Sequence, residues 1–265
     1  MAESPVPHSE SGDDLAFMLR SKPCVIVGQG RMGSALAASL RRAGVDVRGP
    51  VGRGADGAGA SLVLLCVPDR EIAHASAMIV GDTVVAHVSA SSDLAVLAPH
   101  ECASMHPLLS VSTASAEFDG ATCAVDGSSA RAVAMVEAMA VRLGMHPVRV
   151  SAGRRAVYHA AASAAANYSI TVLAMAERLA SEAGLEAEAL VPLVRSTMRN
   201  WEELGAREAL TGPIARGDVE TAALQRASVS AHTPELLPLW DALAEGTRRL
   251  AQSRPAPVPS PSDRP

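Results

Sequence analysis

The chain has 265 residues, a formal net charge of −5 and only two residues each of Phe, Tyr and Trp. This length allows one large domain or two modest domains, each with a buried core. The negative charge and the scarcity of aromatic side chains argue against a basic, base-stacking surface, so nucleic acid is not an expected partner.

The use of cysteine points to a reducing compartment. The four cysteines lack metal-binding spacing and three of them lie in apolar, strand-like runs, which predicts buried, reduced thiols: Cys24, Cys66, Cys102 and Cys123. The first residues are polar and acidic, unlike a secretory signal, and no run reaches the ~18 apolar residues that span a bilayer. We therefore expect a cytoplasmic protein without a membrane partner.

The first half of the chain alternates strand and helix patterns. Strands are predicted at 24–28, 45–49, 61–67 and 83–89, with weaker candidates at 102–106, 122–125 and 147–150, and helices at 33–43 and 129–143. The run 61–67 is continuously apolar, as in a strand covered on both faces. This alternation predicts an α/β fold of the Rossmann type, with a doubly wound parallel sheet and right-handed crossovers.

The second half of the chain carries helical patterns only, at 154–184, 186–204, 218–230 and 234–251. The last residues, 254–265, are rich in proline and predict disorder. The predicted organisation is an N-terminal tail (1–21), a Rossmann-type α/β domain (22–150), an all-helical domain (151–252) and a Pro-rich tail (253–265).

A GxGxxG motif follows the first strand and opens the first helix, in the residues Gly28, Gln29, Gly30, Arg31, Met32 and Gly33. In that context the first glycine permits a tight turn, the second lets the backbone approach a diphosphate, and the third lets the helix pack closely on the strand. The free N–H groups at the helix start attract phosphate. The alternative interpretation is a tight strand–helix turn that binds no nucleotide.

The end of the second strand indicates which dinucleotide is bound. A carboxylate is expected there for NAD, but this chain has Arg48-Gly-Pro-Val-Gly-Arg53, which favours the 2′-phosphate of NADP. Arg53 is the first candidate for that phosphate and Arg31 the second; a solvated loop arginine is the alternative. Val67 and Pro68 close the third strand, where the adenosine half of the cofactor would pass.

Two strand ends pair a hydroxyl with an imidazole, His87 with Ser89 and Ser104 with His106. Ligands bind beyond the carboxyl ends of the strands in open parallel sheets, so these side chains are site candidates. Structural histidines are the alternative. A metal site built from His87, His106 and His159 lacks metal-type spacing, so no metal is expected.

Two further candidates lie in the helical half. His159, Ser163 and Asn167 are spaced i, i+4, i+8 on an Ala-rich helix, and could face the nicotinamide or form an inter-helix or dimer network. Arg216 precedes the predicted N-cap Asp218 and could bind a carboxylate, or could be an exposed loop residue.

The chain resembles a two-domain family that joins a Rossmann-like oxidoreductase domain to a helical domain of unknown function. The resemblance covers about residues 23–250 and rests on GQGRMGSALAASLRRAG, GPVGRGAD, LVLLCVPD, HVSA, SMHPL, YHAAASAAANY and TGPIARGD. This family is similar to 6-phosphogluconate dehydrogenase-like enzymes, among them pyrroline-5-carboxylate reductase. Some members are regarded as an alternative type of ketopantoate reductase, which implies reduction of 2-dehydropantoate by NADPH and a homodimer formed through the helical domain.

The chain departs from better-known relatives of that family in two places. β-Hydroxyacid dehydrogenases and the standard ketopantoate reductase use a lysine on the first long helix of the second domain, and the single lysine here, Lys22, precedes the first strand. Where the family reads HTSG, this chain has His87-Val-Ser-Ala90, which would narrow the space beside the nicotinamide.

The sequence thus predicts an NADPH-dependent reductase of a small 2-oxo acid, with 2-dehydropantoate as the preferred substrate. His159 is the first choice for the proton donor and His106 the second, because an imidazole suits neutral pH. Ser163 and Asn167 would orient the substrate and Arg216 would pair with its carboxylate, beside Ser89 and Ser104. An imine reductase and a non-catalytic NADP-binding regulator are the alternatives.

Overall fold

The computed structural model describes residues 22–112 and 116–253, and the predicted tails, 1–21 and most of 253–265, lie outside them. The described chain falls into two compact units that meet between Ala166 and Asn167. The predicted domain boundary at residue 150 stays a prediction, but the helix that follows it belongs to the first compact unit. No helix in the described ranges is both long and apolar enough to cross a membrane.

The first unit is built on a seven-stranded sheet in the order β2-β1-β3-β4-β5-β6-β7. The strands are β1 (Cys24–Val27), β2 (Val47–Val51), β3 (Leu62–Leu65), β4 (Val84–His87), β5 (Cys102–Pro107), β6 (Thr122–Gly127) and β7 (His146–Arg149). Its helices are α1 (Arg31–Arg42), α2 (Ile72–Ala77), α3 (Ala130–Arg142) and α4 (Ala152–Ser163). The predicted α/β fold with a Rossmann-type sheet is confirmed.

The sheet departs from the predicted all-parallel pattern at one strand pair. Strands β1 to β5 are parallel, whereas β6 runs antiparallel to β5 and β7 runs parallel to β6. In the described residues no helix connects β5 to β6. Without a crossover helix to carry the chain back to the starting edge, the strand returns in the opposite direction.

Apolar cores lie on both faces of the sheet, because the central strands alternate buried side chains between them. On one face, Ile26 and Leu64 belong to the core that also contains Leu36 of α1 and Met135 of α3. The opposite face forms a second core, with the side chains Val25, Val27, Val63, Leu65, Ile72 and Leu97. The continuously apolar β3 is thus covered on both faces, as its sequence predicts, and the four cysteines are buried and free.

The second unit consists of helices in its described part: α5 (Ser169–Glu182), α6 (Val191–Leu204), α7 (Pro213–Arg216), α8 (Val219–His232) and α9 (Leu237–Gln252). Asp218 caps α8 as predicted, since its carboxylate accepts a hydrogen bond from the N–H of Thr221 at 3.0 Å. Arg226 of α8 forms a bidentate pair with Asp241 of α9, with two contacts of 2.8 Å.

Candidate active site

The glycine-rich turn between β1 and α1 leaves no room for side chains at two of its glycines. Gly28 has φ of +118°, and a Cβ there would lie 2.2 Å from the carbonyl oxygen of Cys66 on the neighbouring chain segment. A Cβ on Gly33 would lie 1.9 Å from the carbonyl oxygen of Gly28. Both contacts involve backbone atoms, so the turn and the first turn of α1 keep this close approach only with glycine.

Gly30 is different, because the space beside it is open. A Cβ on Gly30 would meet no atom within 4 Å, and its backbone is extended, with φ of −75° and ψ of −177°. Gly30 is the N-cap of α1, and no side chain in the described chain caps that helix. The helix start therefore offers uncapped N–H groups beside open space, which suits a diphosphate.

Arg53, beyond the end of β2, has an acidic partner that the sequence did not reveal. Arg53 is exposed and its Nη1 lies 3.2 Å from Oε2 of Glu71, while Nε of Arg70 lies 3.5 Å from Oε1 of the same carboxylate. Arg31, the second candidate for phosphate binding, is exposed at the start of α1. A phosphate bound to Arg53 would therefore compete with Glu71.

The segment after β4 is organised around the hydroxyl of Ser89. That hydroxyl donates to Oδ2 of Asp69 at 2.9 Å and accepts from the N–H groups of Ser91 at 3.1 Å and Ser92 at 2.9 Å. Ser91 also donates to Oδ2 of Asp69, at 2.6 Å. His87 is fully buried, and its Nδ1 accepts the N–H of Ser89 at 3.2 Å.

These bonds occupy the Ser89 hydroxyl and Nδ1 of His87 within the protein, whereas the buried Nε2 of His87 has no hydrogen-bond partner among the described residues. The Ser89 hydroxyl donates its hydrogen bond to Asp69, and its oxygen accepts hydrogen bonds from two backbone N–H groups. Because its Nδ1 is an acceptor, neutral His87 carries its proton on Nε2. Burial, followed by the charge of Arg155, lowers the pKa of His87 to about 4, so the imidazole is neutral at pH 7. From these positions both side chains shape the segment after β4.

Arg155 of α4 links the segment after β4 to the middle of β5, and sequence reasoning missed it. Its guanidinium is buried, donates to the backbone carbonyl of Ser89 at 3.3 Å, and donates to the hydroxyl of Ser104. The carboxylate of Asp126 lies 3.9 Å away. An arginine is seldom buried without close partners, so this burial is the feature that marks the residue.

His106 near the end of β5 forms a hydrogen-bonded pair with Tyr158 of α4. The His106 Nδ1 and the Tyr158 hydroxyl are 2.7 Å apart, and the two rings meet edge to face at 86° with centroids 5.7 Å apart. Burial, then the charges of His159 and Arg155, lowers the pKa of His106 to about 4. Burial raises the pKa of Tyr158 to about 12.

The remaining candidates are distributed over both units. His159 is exposed on α4, one turn before the half-buried Ser163. The α-helical spacing predicted for Asn167 does not continue that far, because Ala164–Tyr168 forms a π-helical turn that shifts the following residues around the helix axis. Asn167 and the exposed Arg216 belong to the second unit.

Metal chemistry finds no ligand set here. Across residues 22–112 and 116–253, no group of three or more His, Cys, Asp or Glu side chains is arranged to hold a metal ion.

Arg155, Tyr158 and Asp69 are the members of the polar cluster that sequence reasoning missed. Composition alone could have pointed to Tyr158, because the chain has only two tyrosines.

The fold is similar to that of solved structures that include oxidoreductases using NADP or NADPH. The crystal structure of a Thermotoga maritima protein has a TM-score of 0.75 at 22% identity, over 87% of this chain and 100% of that one. A protein from Bacteroides fragilis assigned as an NADP oxidoreductase has a TM-score of 0.73 at 19% identity, over 88% of this chain and 99% of that one. The reductive aminase of Aspergillus terreus, in complex with NADPH and ethyl-5-oxohexanoate, has a TM-score of 0.62 at 15% identity, over 86% and 94%.

A family model matches the second half of the chain. Residues 121–247 match the family described as "Domain of unknown function (DUF2520)". No curated protein matches the chain at a significant level. The predicted resemblance to a Rossmann-like oxidoreductase fold joined to a helical domain of unknown function is confirmed.

Proposed function

We propose that the protein is an NADPH-dependent oxidoreductase that reduces a small carbonyl substrate. One observation carries the proposal: the open glycine turn after β1 lies at the same edge of the sheet as the polar cluster formed by the segment after β4 and by Ser104 and His106 of β5. Because β1, β3, β4 and β5 are parallel and adjacent, their carboxyl ends share that edge. This edge is where nucleotides and substrates bind in folds of this kind.

The chain offers a consistent set of residues to hold NADPH. The segment from Gly28 through Gln29, Gly30, Arg31 and Met32 to Gly33 would hold the diphosphate at the uncapped start of α1. Arg53 would hold the 2′-phosphate, while Val67 and Pro68 would line the adenosine half and His87 would support the segment beside the nicotinamide. When bound, NADPH supplies the hydride. The NADPH complexes of structural neighbours support this assignment.

The preferred substrate is a 2-oxo acid, and 2-dehydropantoate is the specific proposal. It rests on the sequence resemblance to ketopantoate reductases of the alternative type. Ser104, Ser163 and Asn167 would orient the carbonyl group, and Arg216 would pair with the carboxylate. His159 and His106 remain the predicted proton donors from sequence.

Imine reduction is the second candidate, and one comparison favours it. The Aspergillus terreus neighbour is a reductive aminase. An imine arrives already protonated near neutral pH more readily than a ketone, so the site would need a weaker general acid. The absence of a lysine from the whole of α4 fits that lower demand.

A homodimer through the helical unit is the proposed assembly, in a cytoplasmic protein. Helix α6 has no buried residue, although it carries a run of large apolar side chains that are all exposed: Val191, Leu193, Met198, Trp201 and Leu204. Such a face is typical of a surface that is covered by a partner. Light scattering should give the mass of two chains, and Trp201→Glu should return the protein to a single chain; a wild-type monomer would contradict the assembly.

A substrate screen tests the function directly. NADPH and NADH binding are measured first by cofactor fluorescence, and NADPH oxidation is then followed with 2-dehydropantoate, pyrroline-5-carboxylate and simple 2-oxo acids. We expect NADPH to bind more tightly than NADH and 2-dehydropantoate to be turned over fastest. Turnover of the cyclic imine alone would select the imine reductase, and NADPH binding without turnover of any substrate would select the non-catalytic regulator.

A further inference from the structure

We infer that the Tyr158 hydroxyl is the proton donor of the proposed carbonyl reduction and that His106 is its positioning residue. This inference rests on the proposed reductase function and replaces His159 as the donor. It starts from the direct contact between the two side chains, a hydrogen bond of 2.7 Å between Nδ1 and the phenol oxygen.

The placement of the pair suits a proton donor. His106 is the penultimate residue of β5, and Tyr158 lies in the second turn of α4, beside Arg155. Both side chains are partly buried, and the Tyr158 ring packs edge to face against the imidazole of His106. A phenol oxygen can accept one hydrogen bond and still donate its own proton to a second group. If Nδ1 of His106 carries its hydrogen, the Tyr158 proton is free for a substrate oxygen.

The protonation states favour tyrosine over histidine as the acid. With a pKa lowered to about 4, His106 is protonated in roughly one molecule in a thousand at pH 7. Tyr158, with its pKa raised to about 12, keeps its proton throughout the neutral range. A phenol is nevertheless a stronger acid than the alcohol formed in the reaction, so proton transfer to the developing alkoxide is downhill.

The surrounding charges support the phenolate that the transfer leaves behind. Among the groups acting on Tyr158, the charge of Arg155 lowers its pKa, opposing the larger effect of burial. Neutral His106 would donate from Nδ1 to the phenolate oxygen. The carbonyl π bond would break as its carbon takes the hydride that NADPH supplies, which oxidises NADPH to NADP⁺, and its oxygen would take the Tyr158 proton. The phenolate would then regain a proton from water. One carbonyl, one hydride and one proton thus give one alcohol.

The test compares Tyr158→Phe with Tyr168→Phe, a matched control at the other, exposed tyrosine of the chain. With the best carbonyl substrate of the wild type, Tyr158→Phe should lower kcat by about 10²–10⁴-fold. Its Kd for NADPH should stay within about twofold, and the control should match the wild type. Wild-type kcat in Tyr158→Phe would overturn the inference, as would a loss confined to His159→Ala.

The positioning role of His106 has its own variants. His106→Phe removes the hydrogen bond and should lower kcat with little change in KM. His106→Asn places an amide donor near the position of Nδ1 and should restore part of that loss. If both variants behave alike, or if only KM changes, His106 does not act through a hydrogen bond to Tyr158.

A spectroscopic measurement tests the pair without any turnover. The ¹⁵N shifts of His106 in the ligand-free wild type should report a neutral ring protonated on Nδ1, and Tyr158→Phe should change that tautomer balance. A ring protonated on Nε2 would contradict the inference. A wild type that neither binds nor oxidises NADPH would instead refute the proposed function, so the two failures are distinguishable.

Discussion

Alanine at Gly33 should lower the stability of the fold, whereas alanine at Gly30 should weaken cofactor binding. A Cβ at position 33 would lie 1.9 Å from the Gly28 carbonyl oxygen and 3.3 Å from the Cys66 side chain. The first contact is with backbone, so α1 must move away from β1 and disturb the core around Leu36. We expect Gly33→Ala to lower the free energy of unfolding by about 3 kcal/mol, the upper end of the usual effect of overpacking.

Gly30→Ala provides the matched control. Its Cβ would meet nothing within 4 Å and its φ of −75° is accessible to alanine. Alanine restricts the unfolded chain but is a poorer N-cap than glycine, and these effects oppose each other, so ligand-free stability should change by less than ~1 kcal/mol. The added methyl group would occupy the space that a diphosphate needs. NADPH affinity should therefore fall at least ~10-fold, equivalent to about 1.4 kcal/mol.

Thermal unfolding without ligand and NADPH fluorescence titration measure the two effects separately. A loss of 3 kcal/mol corresponds to a Tm decrease of roughly 6–12 °C for a domain of this size. Wild-type Tm in Gly33→Ala would refute the packing argument. Wild-type NADPH affinity in Gly30→Ala would show that the open space beside α1 does not hold the diphosphate.

Three further predictions concern charge and pH. In fluorescence titrations, Arg53→Gln should weaken NADPH binding about 10-fold or more and leave NADH binding unchanged. Glu71→Gln removes the acidic partner of the same arginine and should not weaken NADPH binding. His87 has a pKa lowered from 6.5 to about 4, so the unfolded chain binds its proton first and stability is lost as pH falls through that window. In urea unfolding, the contribution of His87 should make the wild type about 2 kcal/mol less stable at pH 5 than at pH 7. The variant His87→Asn should lack this contribution to the pH dependence. Arg155→Met should lower stability by about 2–4 kcal/mol in the same assay, because Ser104 and the Ser89 carbonyl lose a buried charged donor; an unchanged urea midpoint would contradict the assigned contacts.

Much of the fold could be predicted because it depends on short stretches of chain. The strands of the first unit and its helices α1 and α3 lie within a few residues of their predicted bounds, since apolar alternation and helix caps are local signals. The short helix α2 was not predicted, and α4 ends well before its predicted bound. The reversal of β6 was not predictable in this way. A strand pattern does not record its direction, and the connection before it carries neither a helix signal nor a tight turn.

In the candidate site, too, the parts that depend on neighbouring residues were predictable and the others were not. The glycine motif could be recognised in the sequence because its residues lie within one turn. Only the structure shows that, of the motif's glycines Gly28, Gly30 and Gly33, it is Gly30 that faces open space. The polar stripe predicted on the long helix assumed uniform α-helical spacing, and the π-helical turn at Ala164–Tyr168 ends that spacing before Asn167.

By itself, the sequence determined the strand–helix order, the glycine turn and the absence of a lysine from the long helix, because each is a property of neighbouring residues. The tertiary structure decided that Arg155 is buried against Ser104, 51 residues earlier, and that Tyr158 meets His106, 52 residues earlier. In the sequence, Arg155 is one of two adjacent arginines and looks like any solvated helix residue. Only the contacts of its side chain with the segment after β4 and with Ser104 of β5 remove it from water and give it partners, and these contacts depend on the whole sheet.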